Sequence, residues 1–381
     1  MITIGLLSKD NPEDRFAWSG TLFKMYRHLN TENSRCIWIP IKSSVSSRIY
    51  QFLLRCFCKL LRRNASLIHT KYVAKDFARS IDSTLMQVCD VLLAPGTPYV
   101  AYLNTDKPIV VFSDATFACL YNYYPSCSNF FHFNILDGNA IEKRALQNAT
   151  YIVFSSNWAK HSAEYDYLID NAKISVVKFG ANVDEKDISP LVDRFSRVTD
   201  GLLDVLFLGV EWERKGGDIA VETVRILNEQ GISARLHIVG IRNLDSNIES
   251  LPYIDNHGFL NKNNPTEYKE IVRLLNSTHI LLLPTVAECS SIAFVEASNF
   301  GLPIFTYDTG GVSDYVLNHE NGVCLPLSAT PSDFASVIMF SIENDLLSKM
   351  SSNGIDICNS VLNWNNWGKE MLNILNAVIK K

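Results

Sequence analysis

Nowhere in the 381 residues does an apolar run reach the ~18 uncharged positions of a membrane-spanning helix. A signal peptide is not expected either: MITIGLLS is short, and Lys9, Asp10, Glu13 and Asp14 follow it at once. Basic residues are in deficit, with a net charge of −5, which argues against a nucleic-acid binder whose basic surface dominates. The nine cysteines are an odd number without Cys-x-x-Cys spacing. That fits neither a disulfide framework nor a structural zinc site, and predicts reduced thiols in a cytoplasmic protein. Gly-x-Gly-x-x-Gly is also missing, which weakens a nicotinamide-binding reading. No repeat or low-complexity segment is present.

What remains is an ordinary globular composition, 47% apolar and 20% charged, in a chain long enough for two domains of ~150–200 residues. The most informative stretch runs from His279 to Tyr315. Ile280 to Leu283 is a short apolar run stopped by Pro284, the pattern of a strand buried on both faces of a parallel sheet. Ser290 or Ser291 then caps a predicted helix over 292–300, with Gly301 as its stop and a second strand over 303–306. Ligands of doubly wound sheets sit outside the carboxyl ends of strands, where helix N-termini point. The amides of Ser290, Ser291 and Ile292 therefore suit a diphosphate. Glu296 on the same helix can accept two ribose hydroxyls, and Glu288 can face the group beyond the far phosphate. Taken alone, the pair also reads as a loop acid and a solvated helix residue.

The spacing Glu288-x7-Glu296, followed by Gly301-Leu-Pro303 and Gly310-Gly311, resembles the signature of the retaining family 4 glycosyltransferases. That resemblance implies an α/β fold of GT-B type: two facing Rossmann-like domains with a C-terminal helix crossing back to the N-domain. The N-domain would take residues 1–184 and 365–381, bind the acceptor, and be joined to the rest by a charged linker over 185–201. Residues 201–364 would bind the nucleotide sugar. In the second half, the 204–208 strand leads into Gly209 and then Arg214-Lys215-Gly216-Gly217, two cations beside two glycines at a strand-to-helix turn. The resemblance makes these cations the neutralisers of a leaving diphosphate. No metal or other cofactor is then expected, and the sequence has no Asp-x-Asp triplet. Gly240 ends another strand, and Phe259 and Leu260 lie in the segment whose backbone reads the nucleobase in relatives. His257 nearby reads as structural.

In the first half, Ser19 and Gly20 open a helix over 20–29 and resemble the family's glycine loop. A further helix is expected over 75–86, and Asn157 as the cap of another. Asp114 ends an apolar strand; it reads as a helix cap or, by the resemblance, as the group that orients the acceptor hydroxyl. The aromatics over 121–133 read equally as a sugar-stacking wall, a lipid-facing wall or packing. The segment 47–63 sets Ile49, Phe52, Leu53, Phe57, Leu60 and Leu61 at helical spacing among five basic residues and no acid. Such a helix lies on an anionic membrane surface, or packs on its own sheet with a basic outer face. The implied partners are a nucleotide sugar and a saccharide or lipid-linked acceptor, with no nucleic acid. The expected place is the cytoplasm, peripherally on the inner face of the plasma membrane. A non-catalytic nucleotide-sugar binder and another enzyme of the same architecture, such as a sugar-nucleotide epimerase, are the alternatives.

Overall fold

The structure is a computed structural model that describes residues 1–15, 17–189, 194, 195, 198 and 202–380. It divides into two units: Met1–Lys178 with Trp367–Lys381, and Phe179–Asn366. The expected linker over 185–201 lies largely outside the described residues. Arg194, which is described, is no loose connector: it is buried and donates to the carbonyl of Phe300 at 2.6 Å.

In the first unit, short Val-, Ile- and Leu-rich runs form six strands: β1 (Ile2–Ser8), β2 (Ser34–Pro40), β3 (Val91–Pro95), β4 (Ile109–Ser113), β5 (Tyr151–Phe154) and β6 (Ile174–Val176). They pair in the order β2-β1-β3-β4-β5-β6, every pairing parallel. Val91, Leu92, Leu93 and Ala94 are wholly buried, as expected for a sheet covered on both faces. The helix expected over 75–86 is two helices, Lys71–Ser80 and Ser83–Gln87. The break comes at Asp82, whose carboxylate accepts from the Thr84 and Leu85 amides and starts the second helix. Similarly, the cap of the Asn157–Tyr165 helix is Ser156, which accepts from the Ala159 amide, and Asn157 is its first helical residue.

The second unit repeats the design with β7 (Leu202–Leu208), β8 (Ser233–Val239), β9 (Ile254–Asn256), β10 (Ile280–Leu282), β11 (Ile304–Tyr307) and β12 (Gly322–Leu325). Their order is β12-β11-β10-β7-β8-β9, again all parallel. The order in which successive strands are added reverses once in each sheet, between β1 and β3 in the first unit and between β7 and β10 in the second. Those two switch points are where an open parallel sheet leaves a crevice at its carboxyl edge.

The last helix, Trp364–Ile379, spans the unit boundary. Trp364 stays with the second unit, its ring 5.7 Å from Phe179 and its Nε1 donating to the carbonyl of Ala181. Trp367 belongs to the first, wholly buried with its ring 5.7 Å from Phe112. Residues 179–184, expected with the N-domain, group with the second unit for the same reason: Gly180 packs directly on the Trp364 backbone.

Candidate functional site

At the switch point of the second unit, the loop after β7 and the loop after β10 meet. The backbone ties them: the Val286 amide donates to the Arg214 carbonyl at 2.9 Å, and Thr285 Oγ1 to the same carbonyl at 3.2 Å. Gly216 makes the approach feasible. Its φ of +75° is the left-handed region, and a Cβ there would collide with the Pro284 carbonyl. Gly240 has φ of +107° and lies against the Gly209 carbonyl, so these two expected glycines form one close crossing of strand ends.

This scaffold brings Arg214, Lys215 and Glu288 together. Lys215 Nζ donates to Glu288 Oε2, and Arg214 Nη1 lies 3.5 Å from the same oxygen. Arg214 Nη1 also donates to the Ala287 carbonyl at 2.9 Å, and its Nε to Glu211. Lys215 and Glu288 are both buried, at 8% exposure each, so neither is a solvated surface charge. Two cations are gathered at the carboxyl edge of the sheet, balanced by Glu288 and by the Glu211 that holds Arg214 Nε, and such cations suit the phosphate oxygens of a polyanion.

Glu296 is more deeply buried than its expected role needs, at 2% exposure, and Lys262 Nζ donates to its Oε1. Lys262 was not singled out from the sequence. A lone lysine two residues beyond Leu260 carries no spacing signal, and only the fold brings it to the Ile292–Asn299 helix. Ser291 stands at the N-cap of that helix without a side-chain cap bond. Phe259 lies under the Arg242 guanidinium, 3.8 Å from its ring centre, beside Leu260 and the Gly240–Gly258 backbone hydrogen bond of 2.8 Å. The guanidinium occupies one face of the ring in a cation–π contact that fixes Arg242 and Phe259 together. His257 Nε2 meets His237 Nδ1 at 3.2 Å, and burial holds His257 below the usual histidine range.

The first unit has its own cavity at its switch point, about 180 Å³, lined by Trp18, His69, Thr97, Tyr99, Asp114 and Glu142 among others. Asp114 is not the cap of the following helix; Thr116 is, accepting from the Cys119 amide. Asp114 accepts instead from Trp18 Nε1 at 3.3 Å. Trp18, Ser19 and Gly20 hold φ of 48°, 55° and 89° in succession, a left-handed run that costs energy at the first two and is typical of functional loops. Glu142 escaped notice in the sequence because it sits mid-helix among ordinary polar residues. It is buried, accepts from Thr97 Oγ1 at 2.5 Å, and burial pushes it up to about 7 against the opposing pull of the Thr97 hydroxyl and the Phe117 amide. His69 beside it is held down to about 4 by burial.

The basic helix, Val45–Leu61, inverts the usual amphipathic arrangement. It buries Ser47, Gln51 and Leu54, while Phe52, Leu53 and Leu60 stand 64%, 59% and 77% exposed. The helix does pack on its own unit, against the Lys71–Ser80 helix through Tyr50 and Tyr72, but its apolar stripe is left exposed beside the basic residues. Beside it, Arg55, Lys59, Arg62 and Arg63 line a cavity of about 640 Å³. Among the described residues no helix is long and apolar enough to cross a membrane, and all nine cysteines are unbridged.

Residues 192–356 match the family model "Glycosyl transferases group 1". Among curated proteins, the capsular polysaccharide biosynthesis glycosyltransferase CapM of Staphylococcus aureus is 23% identical over 192 residues, 48% of this chain and 50% of that protein. The match thus spans about half of the curated relative's length. A glycosyltransferase structure from Rickettsia africae superposes with a TM-score of 0.69 at 15% identity, covering 100% of this chain and 99% of that one. Anabaena Alr3699/HepE, solved with UDP and glucose, gives a TM-score of 0.64 at 13% identity over 99% and 100% of the two chains. The two parallel six-stranded sheets have the GT-B fold of these neighbours.

Proposed function

We propose that this chain, which belongs to the group 1 glycosyl transferases through residues 192–356, is a retaining glycosyltransferase. It moves a sugar from a nucleoside-diphosphate sugar to a hydroxyl of a saccharide or lipid-linked saccharide. The observation that carries the reading is the Arg214–Lys215–Glu288 cluster, which gathers two cations and a buried carboxylate at the switch point. When the bond between anomeric carbon and phosphate oxygen breaks, negative charge grows on the diphosphate. Arg214 and Lys215 stabilise it there, with no need for a divalent ion. Glu288 faces the donor sugar and steadies the positive anomeric centre, and Glu296 holds the ribose. The acceptor oxygen attacks from the face the diphosphate leaves, and a leaving phosphate oxygen takes its proton. Asp114 orients that acceptor.

The solved neighbour that holds UDP and glucose makes a uridine-diphosphate hexose the first donor to try. The capsule-forming relative makes surface polysaccharide or glycolipid assembly the natural process. Turnover of a panel of UDP-, GDP- and ADP-sugars, read as free nucleoside diphosphate with and without saccharide acceptors, tests the reading. Transfer that survives EDTA and fails in Arg214→Ala is expected. A chain that binds nucleotide sugars but turns none over is the binder of the alternative reading.

The same proposal places the protein peripherally on an anionic membrane, at the cytoplasmic face. The exposed apolar stripe of the Val45–Leu61 helix supplies insertion, and its flanking arginines and lysines add about 1 kcal/mol each near anionic lipid.

A further inference from the structure

The aromatic run over 121–133 separates into two parts with different surroundings. Phe130 and Phe131 are buried, at 2% and 8% exposure, and serve as packing. Tyr121 and Tyr123 instead line an open groove of about 500 Å³ with Trp158 and Tyr165, the latter 77% exposed. Asn122 projects at the same rim with φ of 63°. Asp166 supplies a fixed acceptor: its Oδ2 receives the Ser162 hydroxyl at 2.5 Å, and Ser162 is itself 2.6 Å from Thr116 Oγ1.

We infer that this groove is a saccharide subsite, which holds neutral sugar units of the acceptor away from the reacting hydroxyl. The inference rests on the glycosyltransferase reading above. Three observations carry it. The wall is aromatic: Tyr123 and Trp158 pack with ring centres 4.9 Å apart, Tyr121 rests on Phe130, and the exposed Tyr165 offers apolar ring surface of the kind that stacks on the C–H faces of pyranose rings. The residues lining it include one carboxylate, Asp166, one histidine, His161, and no lysine or arginine; without a permanent cation the groove disfavours a nucleotide, a phosphorylated headgroup or an anionic membrane and leaves a neutral polyhydroxyl ligand. Its position is the third. The short Phe117–Leu120 helix gives Phe117 and Leu120 to the Asp114 cavity, and Cys119 and the following Tyr121 to the groove. A chain of sugars whose reacting end lies in the first cavity needs to cross only this one helical turn. Binding energy gathered at such a distance from the chemistry is spent on holding the reacting end in register.

The test uses the full chain and three neutral probes: maltotriose, cellotriose and chitotriose. Saturation-transfer NMR is expected to show binding of at least one to the wild type, weakened about tenfold by Tyr165→Ala and by Tyr121→Ala. The unfolding midpoint of Tyr165→Ala should not change, since that ring is exposed. Nucleotide-sugar hydrolysis without acceptor should also stay the same in both variants. Binding of none of the three probes, or undiminished binding by both variants, overturns the inference. A wild type that turns over a nucleotide sugar yet binds no trisaccharide sinks the subsite and keeps the proposed function. One that binds a trisaccharide through Tyr165 but turns over no nucleotide sugar does the reverse.

Discussion

Lys215 and Glu288, 73 positions apart, form a buried ion pair, and Arg214 stands 3.5 Å from the same carboxylate oxygen. Before a diphosphate arrives, the acid occupies the cations that the diphosphate needs. Glu288→Gln releases Lys215 and removes one of the two carboxylates on Arg214, whose Nε keeps Glu211. Its expected phenotype is UDP affinity equal to or tighter than wild type by titration calorimetry, together with a fall in kcat of ~100-fold or more. Affinity weakened tenfold would mean that Glu288 helps to hold the nucleotide, and the competition argument would fail.

Lys262, itself partly exposed, is the ion-pair partner of the buried Glu296. Lys262→Ala strands a carboxylate at 2% exposure and should cost ~3–5 kcal/mol in urea unfolding. The double variant Lys262→Met with Glu296→Gln should recover most of that loss. A double variant no more stable than the single one would show that the cost comes from lost packing and not from the stranded charge.

Gly216 marks where the backbone tolerates nothing larger. Gly216→Ala combines a left-handed φ with a collision against the Pro284 carbonyl, and so pushes apart the loops that carry Lys215 and Glu288. Lower thermal stability and loss of transfer should come together. A variant that melts normally and transfers normally would remove this glycine from the argument.

Glu142 gives the fold a pH signature. Its folded value is raised to about 7 by burial, above the ~4.3 of an unfolded chain, so the folded state holds the extra proton between these values. Stability from this residue is therefore full below ~4, falls as pH rises towards 7 and stays reduced above, by about 4 kcal/mol at ~1.4 kcal/mol per pH unit. His69, held down to about 4, acts oppositely and removes stability as pH drops below ~6.5. The clean readout is the difference between wild type and Glu142→Gln, which should shift in favour of the variant from pH 5 to about 8.5. A difference that stays flat over that range contradicts a buried neutral acid.

The Val45–Leu61 helix should bring the protein to vesicles of phosphatidylglycerol and not to vesicles of phosphatidylcholine alone. Phe52→Asp with Leu60→Asp should abolish flotation while leaving the unfolding midpoint in place, because both side chains are already exposed. Equal flotation on the two lipids would remove the electrostatic half of the proposal.

Much of the site was legible because it is written in consecutive residues. The strand ends, the Arg214-Lys215-Gly216-Gly217 turn, and Glu288 and Glu296 eight positions apart are local patterns, and local patterns follow from hydrophobic period, turn chemistry and capping. Even so, one-residue competitions escaped it: Asp82 rather than continued helix, and Ser156 rather than Asn157, each settled by which side chain reached the amides first.

Strand order, and with it the meeting of the loops after β7 and β10, was decided by tertiary structure. So were the partners that sequence distance hides: Lys262 on Glu296, Thr97 on Glu142, Trp18 on Asp114. The Val45–Leu61 helix shows the division most plainly. Its residues determined that one stripe would be apolar and basic, since periodicity is a property of the chain. Which stripe packed inward was settled by the fold, where Ser47, Gln51 and Leu54 are buried and the larger side chains were left outside.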